Sequence, residues 1–284
     1  MTLLPRIGWD TKLGSLNAFY GIERSLSARD RVITPAESIS KAIRESSAGG
    51  LDPDGVRLYL APGRYFIKKT IDISRSKIHL IAAVPGQSII IYNCTPLGFS
   101  SSSSANDPAF KISGDECSLR GLKFEESVTA LQLTAAGVSS TGTEGIIQIT
   151  GHGCVIDDCH FGLQTTRNAA IQIVASNFTR ITNNVFDNYL TYAVQIKSAS
   201  QLGIVSGNSM RNSRSTHAIY AEDDVGGYSF VGNVVSPNFT SSSSSSAVML
   251  SHSRGQATRE AISYKNGLNS ADAGNVGTVE VRGP

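Results

Sequence analysis

Apolar residues return along this chain with a period close to 25 residues. The segments "GIIQITGH" (145–152), "AAIQIVAS" (169–176), "YAVQIKSA" (192–199), "HAIYAEDD" (217–224) and "AVMLSHSR" (247–254) align on Ile147, Ile171, Val194, Ile219 and Val248, at intervals of 24, 23, 25 and 29 residues. A second pair of columns keeps the same phase: Leu119/Phe124, Ile156/Phe161, Ile181/Phe186, Val205/Met210 and Phe230/Val235. Each period holds short runs of alternating apolar residues bounded by Gly, Asn, Ser and Asp, with no helical periodicity long enough for an α-containing repeat. The pattern predicts an all-β fold, a single-stranded parallel β-helix whose coils stack as parallel strands and share one apolar core.

The same pattern sets the domain expectations. Residues 34–50, "TPAESISKAIRESSAGG", predict a short N-terminal capping α-helix: Thr34 as N-cap, Pro35 at the first helical position, Glu37 completing a capping box, and Gly49-Gly50 as the stop. Ile39, Ala42 and Ile43 form its apolar stripe, suited to covering the open edge of the first coil. The solenoid with its cap is expected over 34–254. Residues 1–33 form a non-periodic arm with the single tryptophan, Trp9, and residues 255–284 form a tail that loses the phase and ends in a strand over 278–282. The serine runs 100–104 and 241–246 read as solvated insertions at coil turns.

Composition narrows the functional classes. With 25 basic and 23 acidic residues the net charge is only +2, and no basic run interleaved with aromatics offers a phosphate-tracking stripe, so nucleic acid is not an expected partner. No apolar run has the length of a membrane span, so no membrane partner is expected either. The opening "MTLLPRIGWDTKL" has no recognisable h-region. On that ground Cys94, Cys117, Cys154 and Cys159, which lack any C-x-x-C spacing, are expected as reduced core or corner residues, and the sequons at Asn93, Asn177 and Asn238 carry no glycan.

The helix followed by "YLAPGRYFIKKTIDI", and then coils such as "ITNNVFDN", resemble the pectate-lyase-like right-handed β-helix superfamily over roughly residues 34–255. The resemblance implies a right-handed solenoid. The superfamily includes pectin-degrading lyases and hydrolases, epimerases, and bacteriophage tailspikes, fibres and other virion proteins, so the fold by itself does not select an activity.

Gly151-His152-Gly153 and Asp157-Asp158 resemble catalytic signatures of polygalacturonases, but their order is reversed and both fall inside one coil. Cys159 then shares a corner column with Asn184, Asn208 and Asn233, which predicts a structural ladder. A lyase-type site would need an acidic Ca²⁺ ladder and a basic catalyst; Arg211 and Arg214 are present without the lyase proline or that ladder. Glu222, Asp223 and Asp224 form the best acidic cluster, just after the strand "AIYA". Alternation turns Tyr220 and Glu222 outward, with Lys197 one coil away as an expected ion-pair partner of Glu222. The neighbouring outward column, Gln148, Gln172, Gln195, Tyr220 and Met249, predicts an amide ladder and a candidate subunit-packing face. His152, His160, His217 and His252 show no metal-ligand spacing, so neither metal nor cofactor is expected.

These observations, with the resemblance, favour a non-enzymatic bacteriophage virion protein: a fibre, spike or capsid-decorating subunit. It is expected to assemble as a homotrimer, to dock other virion proteins through residues 1–33, and to have bacterial surface glycan as a further candidate partner. The alternative is a carbohydrate-active enzyme (depolymerase, lyase or glycoside hydrolase) or a glycan-binding module, with Glu222, Asp223 and Asp224 as its acids.

Overall fold

The computed structural model describes residues 30–46, 55–92, 107–127, 142–162, 164, 167–189, 191–197, 199–211, 217–222, 225–236, 246–251, 262–264, 267–268 and 279–282. Within these the chain winds through three parallel sheets in the repeating order A, B, C. Sheet A has nine strands, Arg31–Ile33, Val56–Leu60, Ile78–Ala82, Ser118–Arg120, Val155–Asp157, Arg180–Thr182, Ile204–Ser206, Ser229–Val231 and Ile262–Tyr264. Sheet B has eight, Gly63–Phe66, Ser88–Tyr92, Lys123–Glu126, His160–Phe161, Val185–Asp187, Ser209–Arg211, Val234–Ser236 and Gly267–Leu268. Sheet C also has eight, Ile71–Ile73, Phe110–Ile112, Gly142–Ile149, Arg167–Ile173, Tyr192–Ile196, His217–Ala221, Ser246–Ser251 and Val279–Arg282. Among the described residues this is an all-β parallel β-helix of eight complete coils, preceded by one additional strand.

The sequence columns are the strand registers. Ile147 pairs with Ile171, Ile171 with Val194, Val194 with Ile219 and Ile219 with Val248. Leu119, Ile156, Ile181, Val205 and Phe230 likewise stack in sheet A, and Phe124, Phe161, Phe186, Met210 and Val235 in sheet B. A period of two along each strand sends one set of side chains into the solenoid. There the rings of Phe124, Phe161 and Phe186 lie parallel at centroid separations of 4.7 and 4.8 Å, the spacing of neighbouring strands.

The corners explain the polar residues between these columns. At the turn from sheet A to sheet B the chain takes a left-handed residue, Asp158, Asn183, Gly207 or Gly232, with φ between 52° and 65°. The next side chain points in and bonds along the axis. Cys159 N–H donates to Asn184 Oδ1 at 2.9 Å, Asn184 N–H to Asn208 Oδ1 at 2.9 Å, and Asn208 N–H to Asn233 Oδ1 at 3.2 Å. The ladder satisfies backbone groups that the turn removes from the sheets. At the turn from C to A, coils approach so closely that a Cβ on Gly151 would lie 2.1 Å from the Gly114 carbonyl oxygen.

Three boundaries differ from the sequence expectation. The coil stacking begins inside the expected arm, because Arg31–Ile33 pairs with Leu58–Leu60, and it continues into the expected tail, where Ile262–Tyr264, Gly267–Leu268 and Val279–Arg282 pair with the coil before them. The helix α1, Ile39–Ser46, begins later than the Thr34 capping box implied. Glu37 Oε2 does accept from Thr34 N–H at 2.9 Å, but this closes a turn; Ser38 caps the helix, its Oγ accepting from Lys41 N–H at 3.3 Å. Ile39, Ala42 and Ile43 are buried as the stripe required. The remainder of residues 1–33, the Gly49-Gly50 stop, Cys94 and the serine run 100–104 lie outside the described residues, as does nearly all of the run 241–246.

Candidate functional site

The outward face of sheet C carries the amide ladder. Gln148 Nε2 donates to Gln172 Oε1 at 3.1 Å, Gln172 Nε2 to Gln195 Oε1 at 2.9 Å, and Gln195 Nε2 to Glu222 Oε1 at 3.2 Å. Every amide donates in the same direction along the axis, and the chain ends on a carboxylate. A hydrogen bond to an ionised acceptor is the strongest in such a series, so the ladder orients Glu222. Gln172 and Gln195 are only 1% and 5% exposed, which makes them supports more than contact surface. The expected Lys197–Glu222 ion pair is not formed among the described residues; Glu222 is held by Gln195 instead.

Beside Glu222 lies an aromatic pair that column alignment does not bring together. Tyr192 and Tyr220 stack at a centroid separation of 4.8 Å with their planes 16° apart. In register, Tyr192 is the neighbour of Ala169, and Tyr220 is the neighbour of Gln195, three residues further along the strand. Strict alternation from Val194 would turn Tyr192 inward, yet its ring meets the outward Tyr220 and both stay half-buried. Burial, with smaller contributions from Tyr220 and Glu222, raises the Tyr192 phenol above its ordinary value, so it is a neutral donor at physiological pH. The result is an aromatic surface, phenol hydroxyls and a fixed carboxylate on one sheet face. Asp223 and Asp224, the other two acids of this cluster, lie outside the described residues, as does the side chain of Met249.

The remaining sequence candidates are dispersed over other faces. Arg211 lies on sheet B, where its guanidinium grips Asp187 through two bonds of 2.9 and 2.8 Å, and His160 Nε2 contacts the same carboxylate at 3.1 Å. A guanidinium committed to a bidentate pair on a different sheet cannot serve Glu222. Arg214 lies outside the described residues. His152 and Asp157 do not share a cleft: His152 Nδ1 accepts from Asn177 N–H at the C-to-A turn, and Asp157 Oδ1 accepts from Thr182 Oγ1 at the end of sheet A. Asp158 occupies the left-handed corner position itself. The Gly-His-Gly and Asp-Asp pairs are thus parts of two turns, as their order in the sequence implied.

Sheet A carries a smaller polar cluster. His79 Nδ1 lies 2.9 Å from Ser118 Oγ, and burial first, then Arg57 and Arg120, hold the imidazole below its ordinary pKa. Ser118 is buried, so this pair offers no accessible nucleophile. Among the described residues no group of three or more His, Cys, Asp or Glu could hold a metal ion, and no helix is long and apolar enough to cross a membrane.

No family model and no curated protein sequence matches the chain. Solved structures do. The surface adhesin PfbA of Streptococcus pneumoniae is similar with a TM-score of 0.56 at 14% identity, over 83% of this chain and 60% of that one. DFA-IIIase from Arthrobacter chlorophenolicus A6, in complex with GF2, is similar with a TM-score of 0.54 at 18% identity, over 79% of this chain and 62% of that one. A further structure of DFA-IIIase, with DFA-III, gives 0.52 at 18% identity, over 76% and 56%. The chain therefore spans about three fifths of the length of these structures. All are parallel β-helix proteins, and at these identities the likeness establishes the fold.

Proposed function

We propose that this protein is a structural β-helix that binds glycan through the outer face of sheet C, without turning it over. The observation that carries the reading is the stacked Tyr192–Tyr220 pair beside a Glu222 carboxylate fixed by the amide ladder. Aromatic rings accept the apolar C–H faces of sugars, and an oriented carboxylate takes two hydroxyl donors; these are the two interactions that carbohydrate recognition needs. A rigid sheet presents them without loop ordering on binding. The likeness to a surface adhesin agrees with a binding role. Within this reading the protein serves as a fibre, spike or decoration subunit of a bacteriophage virion, homotrimeric and attached through its N-terminal arm, with bacterial surface glycan as its ligand. That placement rests on the sequence resemblance.

The test is binding of the full chain to a panel of bacterial capsular and lipopolysaccharide glycans, immobilised and read by interferometry. Tyr192→Ala and Tyr220→Ala should each weaken binding about 2- to 10-fold, as loss of a stacking ring does. Undiminished binding in both variants would remove the sheet C face from consideration.

A second reading is favoured by Glu222 being held in one orientation, and by the likeness to DFA-IIIase: a glycoside-cleaving enzyme with Glu222, Asp223 and Asp224 as its acids. It requires two carboxyls about 5–10 Å apart across the scissile bond. Release of new reducing ends from the bound glycans, abolished in Glu222→Gln, would establish it over the non-hydrolytic reading.

A further inference from the structure

Cys117 and Cys154 are stacked on neighbouring coils. Ser118 pairs directly with Val155, so the residues just before them occupy matching positions at the C-to-A corner, and Val155 N–H donates to the Cys117 carbonyl at 2.9 Å. Matching positions on adjacent parallel strands lie about 4.8 Å apart, inside the Cα separation of about 4.4–6.8 Å that a disulfide spans. Both side chains point the same way along the axis. Cys117 Sγ donates to the Arg75 carbonyl at 3.1 Å and Cys154 Sγ to the Gly114 carbonyl at 3.4 Å, each one coil back. Cys159 is set apart, at the A-to-B corner, with its sulfur on the Leu119 carbonyl at 3.7 Å.

We propose that Cys117 and Cys154 are a covalent modification site, a disulfide that staples two neighbouring coils when the protein meets a low-molecular-weight disulfide of the glutathione type. The chemistry balances as thiol–disulfide exchange. The Cys117 thiolate attacks one sulfur of the oxidant and expels its first thiolate, leaving a mixed disulfide. Cys154, losing its proton, then attacks the Cys117 sulfur and expels the second. Two protein thiols are oxidised and one small disulfide is reduced to two thiols. The neighbouring Cys154 thiol holds the Cys117 thiol below its ordinary pKa, while the Cys117 sulfur, and then burial, hold the Cys154 thiol well above its own, so Cys117 is the attacking sulfur and Cys154 the resolving one. Both are buried, so exchange takes place during coil opening or folding. The staple closes the long loop of chain between Cys117 and Cys154, and a cross-link across a long loop restricts the unfolded chain.

The experiment is oxidation of the full chain in a glutathione redox buffer, once as the native protein and once during refolding from urea, followed by tryptic mapping without reduction. A link between the peptides Ile112–Arg120 and Phe124–Arg167 is expected in at least one arm. The second peptide also holds Cys159, so the link must persist in Cys159→Ser and vanish in Cys154→Ser. The linked protein should melt at least about 5 °C above the reduced one, with no such difference in Cys117→Ser. Free thiols in both arms, a link through Cys94 or Cys159, retained glutathione adducts alone, or an unchanged melting temperature would each overturn the proposal. None of these outcomes bears on glycan binding.

Discussion

Asn208 uses its whole hydrogen-bonding capacity at one corner. Its Oδ1 accepts from the backbone N–H and the side-chain amide of Asn184, and its Nδ2 donates to the Ile181 carbonyl and to Asn233 Oδ1. The residue is 1% exposed, so no solvent replaces these partners. Asn208→Ala should cost about 2–6 kcal/mol, because it strands a buried donor and a buried acceptor at about 1–3 kcal/mol each; a urea midpoint unchanged from wild type would show that the ladder is not holding the corner. His79 makes a pH-dependent contribution of determinate sign. Its folded pKa is depressed, chiefly by burial, so the unfolded state takes up a proton first as pH falls. The contribution is full above the unfolded value of about 6.5 and is lost as pH falls through the lower folded value. Urea midpoints of wild type at about pH 5.5 should therefore fall below those at about pH 7.5 by more than they do in His79→Asn; equal drops in both proteins would contradict this. The corner asparagines were legible in the sequence because each recurs with the coil period. The Tyr192–Tyr220 pair was not, since its two rings belong to different columns and periodicity reports only in-register neighbours.

The elements divide along the same line. Strand registers came directly from the apolar columns, since a slip of one residue would turn Ile171 or Ile181 to solvent. The cap helix was legible through its stripe, but its start was not: the Thr34–Glu37 box closes a turn, and the N-cap is Ser38, which has no Glu or Gln three residues on to mark it. Arg31 explains the outcome. It bonds Glu37 at 2.8 Å and Glu45 at 2.6 Å, tying the first strand of sheet A to both ends of the turn and helix, so Glu37 is engaged before the helix begins. Ser38→Ala should destabilise the chain by about 1 kcal/mol, the usual cost of a lost N-cap, with Thr34→Ala costing less. Chemical denaturation of the two variants in parallel distinguishes them, and the reverse order would return the N-cap to Thr34.

At the scale of the molecule, the coils form a stack in which each rests on its two neighbours. The last coil escaped the sequence pattern for a physical reason: Ser263 takes the place beneath Phe230 that an apolar residue fills in the five preceding coils, so the column ends while the strand pairing continues. Arg31–Ile33 was missed for the opposite reason, being, among the described residues, a single strand ahead of the helix with no repeat before it to align with. Stability in such a stack is close to a sum of coil terms and nearest-neighbour terms. Phe161 sits in the middle of the ring stack, parallel to Phe124 and Phe186 and fully buried, so its truncation weakens two interfaces at once. Phe161→Ala should cost about 3–5 kcal/mol in total. Because the loss belongs to the coils of residues 118–126, 155–173 and 180–196, hydrogen exchange should speed up there first, while Val56–Leu60 and Ile71–Ile73, two coils or more away, keep their protection. Exchange that rose equally in the first coil would mean that the solenoid opens as a single cooperative unit, and that coupling along the axis extends well beyond the neighbouring coil.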